Sequence, residues 1–189
     1  PDPDEGVERA WEEMARLVDE GKVRYIGVSN YSIAQLERIR RIHPPASLQP
    51  PYSMLHGEAE EELLPYCAQH HMGVVVYSPM QRGLLTGKFS HERLAALAPD
   101  DHRRRHPDFQ EPRFSATLEL VEQLKKIARR HGRTCSQLAI SWVLRRREVT
   151  AAIVGARRPD QIEETVQASG WNLSEDDVEE IERLLAEKL

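Results

Sequence analysis

Two short stretches of this chain carry groups that could grip a planar, phosphorylated ligand. The first is Tyr77-Ser78-Pro79-Met80, running straight into Gln81-Arg82-Gly83-Leu84-Leu85-Thr86-Gly87-Lys88. It offers a flat ring for stacking, a hydroxyl, backbone amides that glycine leaves accessible, and two cations. That set suits an anionic ligand with a planar head, such as a nucleotide, and fits an ordinary surface loop equally well. The second is Gly155-Ala156-Arg157-Arg158, just ahead of the helix start signalled by Pro159-Asp160-Gln161. Helix N-termini attract anions and adjacent guanidinium groups suit a phosphate monoester. Paired arginines also occur as plain solvated turns. Ser29 and Asn30 add a hydroxyl and an amide able to hold a carboxamide, although Asn30 or Ser32 could simply cap the next helix. Gln49 is a long amide in an apolar setting, which needs a partner if buried.

Other chemistries find little support. No Ser-His-Asp, Cys-His or paired-carboxylate arrangement can be assembled, so no catalytic residue is assigned. Cys67, His70 and His71 are close in sequence, but adjacent histidines point to different sides of a helix, and no metal site is expected. Arg103-Arg104-Arg105 reads as a solvated loop. With 26 basic residues scattered among 31 acidic ones and a net charge of −5, the composition gives no expectation of nucleic-acid binding. No apolar run approaches the roughly 20 residues that span a bilayer, so no membrane association is expected. Pro1-Asp2-Pro3-Asp4-Glu5-Gly6 resembles neither a signal nor a transit peptide. Cys67 and Cys135 match no disulfide or metal spacing, which fits reduced thiols and a cytoplasmic setting.

These groups must be positioned by alternating strands and helices. Residues 6–20 place Val7, Trp11, Met14 and Val18 on one stripe, predicting a helix closed by Gly21. Strands are predicted over 23–28, near 47–49, over 73–78 and over 151–154. The third is apolar without alternation, as in a strand buried on both faces. Helices are predicted from Ser32, over 58–69, over 115–131 and 134–147, from Pro159, and from Ser174, where Ser174-Glu175-Asp176-Asp177 reads as a capping box. Residues 89–114, with Pro99, Pro107 and Pro112, break the rhythm and read as a long loop insertion. The sum is one α/β domain over residues 1–189: a helix, then four strand-then-helix units with parallel strands. Four such units make half of an eightfold barrel.

In order and spacing, the strand-end segments resemble the aldo-keto reductase superfamily. The matching text is Gly21 through Asn30, then Gln49 with Tyr52-Ser53, then Tyr77-Ser78-Pro79-Met80 through Lys88. It continues in Pro112-Arg113-Phe114, Gln137 through Leu144 and Ile153 through Arg157. The likeness is closest to the branch of potassium-channel β subunits and bacterial general aldo-keto reductases. It implies the C-terminal half of a (β/α)8 barrel that binds NADP(H) without a Rossmann domain. By position, Ser29, Asn30 and Gln49 would hold the nicotinamide carboxamide and Tyr77 would stack on its ring. Ser78, Met80, Arg82, Gly83, Leu85 and Lys88 would line the pyrophosphate, partly through backbone amides. Gly155, Arg157, Gln161 and Glu164 would surround the adenosine and its 2′-phosphate. Thr165 stands where the family usually has asparagine and cannot supply both amide functions.

The resemblance also implies four catalytic groups, an aspartate, a tyrosine, a lysine and a histidine, on the first half of the barrel. None of the four matches a position here; the histidine is expected just upstream of Pro1. The implied function is the cofactor half of a reductase of aldehydes or ketones, inactive alone, whose partner is a missing N-terminal half-barrel. A non-catalytic nucleotide-binding or regulatory module, self-associating through its open strand edges, is the alternative. A different phosphate-binding barrel is a third.

Overall fold

The computed structural model describes residues 6–188. Helix α1 (Val7–Asp19) leads to β1 (Gly27–Ser29), α2 (Ile33–Arg40), β2 (Ser47–Gln49), α3 (Leu63–Gln69) and β3 (Gly73–Tyr77). Then come α4 (His91–Ala95), α5 (Arg113–Arg130), α6 (Cys135–Leu144), β4 (Val149–Ile153), α7 (Pro159–Val166) and α8 (Glu175–Lys188). Contacts divide the described residues into two compact units. One holds residues 6–52, 56–77 and 147–152, the other residues 53–55, 78–146 and 153–188. Among the described residues no helix is long and apolar enough to cross a membrane.

The first unit is built on a four-stranded sheet in the order β1-β2-β3-β4. Strands β1, β2 and β3 pair in parallel, with Gly27 beside Ser47 and Ser47 beside Gly73. Side chains alternate across a sheet, and here the two faces differ sharply. Leu48, Val74 and Val76 are fully buried, together with Leu36 and Ile39 of α2 and Leu64 of α3. Gly27 and Ser29 on the opposite face are exposed, and Ser47, Gln49, Val75 and Tyr77 are half-buried. The expectation that β3 is buried on both faces therefore holds for one face only. Gly27 is required by the register: a Cβ there would lie 2.3 Å from Ser47 Oγ and 2.8 Å from Ser47 O. Helix α1 docks through buried Trp11, whose indole donates to His43 O at 2.8 Å, and through the Arg38–Glu8 ion pair.

Most boundaries shift by a few residues, β4 to Val149–Ile153 among them, and three segments differ more deeply. Residues 23–26 lie outside the sheet, with Val23, Arg24 and Tyr25 exposed. The helix expected over 58–69 splits into a 3-10 turn at Glu58–Glu60 and α3. Pro65 explains the break, since it lacks an N–H and fits only the first turn of a helix. Residues 89–112 are folded rather than open, holding α4 and 3-10 turns at His102–Arg105 and Pro107–Phe109. Ser32 and Thr134 start α2 and α6 by completing capping boxes with Gln35 and Gln137.

The second unit is helical around α5, which packs on α6 and α8. Helix α6 is buried on every side from Cys135 to Val143, so its polar groups need internal partners. Ser141 Oγ donates to Ala168 O at 3.1 Å, and Gln137 Nε2 donates to Glu164 O at 2.8 Å. Both cysteines are buried, and burial pushes the Cys67 thiol up to about 11 and the Cys135 thiol up to about 12.

Helix α8 is fastened to α5 by Asp177, which is 4% exposed. Its carboxylate accepts from Ser174 Oγ at 2.7 Å and lies 2.9 Å from His131 Nε2 and 3.2 Å from Arg130 Nη2. Burial alone would raise its pKa, but bonds from Ser174, His131 and Arg130 outweigh that and hold it below the usual range. A depressed folded-state pKa contributes stability that is complete above the unfolded carboxyl value of about 4 and fades as pH falls below it. Asp177→Asn is expected to lower stability by about 1–3 kcal/mol at pH 7. Urea denaturation at pH 7 and pH 3 checks this: the gap between wild type and variant should shrink at the lower pH.

Candidate functional site

The expected residues form two groups, one in each unit. In the first unit, Ser29, Asn30, Gln49 and Tyr77 meet at the C-terminal ends of adjacent strands. Ser29 Oγ donates to Gln49 O at 2.8 Å, and Asn30 N donates to the same carbonyl at 3.2 Å. Asn30 follows β1 in a left-handed conformation, with φ 61°. Asparagine tolerates that region better than most side chains. Its Oδ1 accepts from Tyr77 Oη at 2.8 Å, tying the tip of β3 to the tip of β1. That bond orients the amide so that its NH2 group is left to donate elsewhere. Asn30 does not cap α2; Ser32 does, accepting from Gln35 N.

In the second unit, Ser78 through Lys88 form a tight left-handed loop. Ser78, Gln81 and Arg82 have φ of 57°, 42° and 52°, and Gly83 follows at 97°. The run from Gln81 to Gly83 has three consecutive positive φ values, two of them at non-glycine residues. Such a run is sterically costly and persists only where surroundings enforce it. The amides of Gly83 and Leu85 both donate to Met80 O, at 3.0 and 3.2 Å. Leu84 and Leu85 are fully buried and anchor the loop, while Arg82 stays exposed. Gly87 closes the turn at φ 72°, where a Cβ would lie 2.5 Å from Lys125 Cε.

The loop meets α7 in its second turn. Lys88 Nζ lies 3.7 Å from Glu164 Oε2. Gln161 Oε1 accepts from the amides of Arg157 and Arg158, at 2.7 and 3.3 Å, and so shapes the turn that follows Gly155. Arg158 is taken up by Asp160, with two bonds of 3.0 and 2.9 Å, and this guanidinium holds the Asp160 carboxyl below its usual range. Arg157 is exposed. Gln137 holds the main-chain carbonyl of Glu164, whose side-chain Oε1 is buried with no hydrogen bond reaching it. Thr165 Oγ1 donates back to Gln161 O at 2.8 Å within its own helix. Among the described residues, no three His, Cys, Asp or Glu side chains converge as metal ligands.

Sequence reading passed over one feature of this loop. Gln81 is buried and paired with Asp108, a residue of the supposed loop insertion. No local signal in the sequence links these two segments, which are 27 residues apart at this pair.

The sequence profile of the Aldo/keto reductase family matches residues 1–186. The chain belongs to the aldo/keto reductase family. Aldo-keto reductase YhdN of Bacillus subtilis (strain 168) is 40% identical over 186 residues, covering 98% of this chain and 56% of that protein. Aldo-keto reductase str7 of Strobilurus tenacellus is 35% identical over 189 residues, with the same coverages. The glycerol dehydrogenase AKR11B4 from Gluconobacter oxydans superimposes with a TM-score of 0.92 at 32% identity, over 100% of this chain and 57% of that one. The chain thus spans about half the length of the relatives it matches. The alternation of four strands with helices is the α/β arrangement of the aldo-keto reductase barrel. Family members are oxidoreductases that use a nicotinamide cofactor on small carbonyl substrates.

The Tyr77–Asn30 bond is the test of the first group. Tyr77→Phe keeps the ring and removes the bond, and should lower stability by about 0.5–1 kcal/mol, the scale of a partly exposed hydrogen bond. Thermal unfolding of the purified chain measures it; no loss of stability would mean the bond does not hold the two strand tips together.

Proposed function

We propose that this aldo-keto reductase chain is the NADP(H)-binding part of an enzyme that reduces aldehydes or ketones by hydride transfer. The observation that carries the reading is the second-unit cluster. A glycine-bearing loop ending in Lys88 abuts Glu164 of α7, and exposed Arg157 precedes the first turn of that same helix. Cations and a helix N-terminus suit a phosphate. The orphaned Glu164 Oε1 is an acceptor lacking a donor, which an amino group such as that of adenine would supply. The donor set therefore fits a phosphorylated dinucleotide.

In this reading Ser29, Asn30 and Gln49 orient the carboxamide of the nicotinamide, and Tyr77 offers its ring face. Ser78, Met80, Arg82, Gly83, Leu85 and Lys88 border the diphosphate. Because the Gly83 and Leu85 amides turn inward to Met80 O, these two residues shape the loop instead of donating to the ligand. Gly155, Arg157, Gln161 and Glu164 take the adenosine and its 2′-phosphate, and Thr165 contributes only to the helix. The reduced nicotinamide supplies the hydride. The proton donor belongs to the part of the family's barrel that this chain does not span, the N-terminal half, which is its partner in the reaction. The carbonyl substrate is a small molecule, and two buried thiols fit a reducing cytoplasmic compartment.

Two measurements test this. The isolated chain should bind NADPH, read by quenching of the nucleotide's fluorescence, and should not oxidise it with 4-nitrobenzaldehyde above the rate in buffer. Turnover would place a proton donor within this chain and overturn the assignment of roles. Among the cations, Arg157→Ala should weaken NADPH binding by about 1–3 kcal/mol and leave NADH nearly unchanged, as loss of a charge-assisted bond to a 2′-phosphate predicts. Arg158→Ala should change NADPH binding less, because Asp160 already holds that guanidinium. Equal losses of NADPH and NADH in Arg157→Ala would remove the phosphate role.

A further inference from the structure

The 78–88 loop holds an unusual backbone that its own sequence does not favour. Gln81 and Arg82 are left-handed in succession, and neither is glycine or asparagine. Something outside the loop must enforce this. Gln81 is 4% exposed, and its Nε2 donates to Asp108 Oδ2 at 2.5 Å. Asp108 is itself only 2% exposed. A buried carboxylate needs compensation, and Arg113 gives it, with Nε 2.9 Å from Asp108 Oδ1. Arg113 is held in turn, its Nη2 donating to Leu55 O at 3.2 Å. The amide of Asp108 donates to His106 Nδ1 at 3.2 Å, fixing the 3-10 turn that carries it.

Aromatic contacts close the segment that carries Asp108 on itself and on α5. Phe109, next to Asp108, packs edge-on against Phe89 with centroids 5.1 Å apart and stacks on Phe114 at 5.9 Å. The Phe89 ring is what a side chain at position 83 would meet, at 3.4 Å. Residues 89–112 are therefore a strap, closed by the Phe89–Phe109 contact and clasped to the loop by a charge-assisted bond at Gln81, with the Phe89 ring beside Gly83.

We propose that Asp108 is a positioning residue for the 78–88 loop. Through Gln81 it holds the left-handed backbone at Gln81–Arg82, and so presets the loop for the diphosphate of a nucleotide. The identity of that ligand rests on the function proposed above; the clasp between Asp108 and Gln81 does not.

The test compares Asp108→Ala, Gln81→Glu and the double variant Gln81→Glu/Asp108→Asn in the full chain. Two quantities are read: amide hydrogen exchange without nucleotide, and NADPH affinity by fluorescence titration. Asp108→Ala should speed exchange of residues 81–83 by about tenfold or more while leaving α8 unchanged, the mark of local rather than global opening. It should weaken NADPH binding by about tenfold, as expected when a binding-competent loop is no longer preset. Gln81→Glu sets two carboxylates against each other and should do the same. Adding Asp108→Asn restores a donor facing the new carboxylate at position 81 and an acceptor facing Arg113, so the double variant should return both quantities to near wild type. Rescue of this kind supports positioning over mere packing and remains readable if Asp108→Ala fails to fold. Unchanged exchange at 81–83, equal acceleration throughout the unit, or a double variant worse than Gln81→Glu would overturn the proposal. Faster loop exchange with rescue but unchanged NADPH affinity would keep the clasp and remove the nucleotide reading instead.

Discussion

Parallel pairing is the constraint on which the rest of the first unit depends. Once β1, β2 and β3 run the same way, each must be followed by a return segment, and their C-terminal ends fall at one edge of the sheet. The register then decides what gathers there. Gly27 admits Ser47 at a distance no other residue could tolerate, and two residues further on Ser29 stands beside Gln49. Slipping β2 or β3 by one residue would send Leu48 or Val74, respectively, to the open face. The burial of those two side chains therefore fixes the meeting of Ser29, Asn30, Gln49 and Tyr77 as firmly as their own hydrogen bonds do.

The second unit works by a different principle. Its loop is built of 3-10 turns over Gln81–Thr86, interrupted at left-handed Arg82 and Gly83, and turns two amides onto a single carbonyl, that of Met80. A left-handed run at Gln81 and Arg82 is locally unfavourable, and its persistence implies support from elsewhere in the fold. Support comes from below through Leu84 and Leu85 and from the side through buried Asp108. Rigid loops of this kind bind with less ordering cost than flexible ones, which gives the strained backbone a use under the proposed function.

Legibility in the sequence followed the range of the interactions. Helices closed by local chemistry were readable: Ser32, Thr134 and Ser174 each accept from an amide three residues on. The segment 23–26 misled, because Val23-Arg24-Tyr25-Ile26 has strand composition, yet only Ile26 finds a core. Residues 89–112 misled in the opposite sense. Three prolines and a charged run have the composition of open loop, but the ordering contacts join Phe89 to Phe109 and Gln81 to Asp108, 20 and 27 residues apart. No local periodicity records such pairs. The site residues were nameable as a set only through the family resemblance; the residues' own chemistry left each one open to a structural role.

Charge at the proposed phosphate end shows how structure narrows what composition suggests. Lys88, Arg157 and Arg158 are three cations within reach of one motif, and a count would weight them equally. Arg158 forms a bidentate pair with Asp160, so recruiting it to a ligand would mean breaking two bonds to make new ones. Lys88 lies 3.7 Å from Glu164 and is about half exposed, a loose and screened contact that is easily exchanged. Arg157 is exposed, while its backbone amide is pinned by Gln161, so its side chain starts from a fixed point. Of the three, Arg157 can turn toward an incoming phosphate with the least rearrangement, and Lys88 can follow while leaving Glu164 free to accept from the ligand.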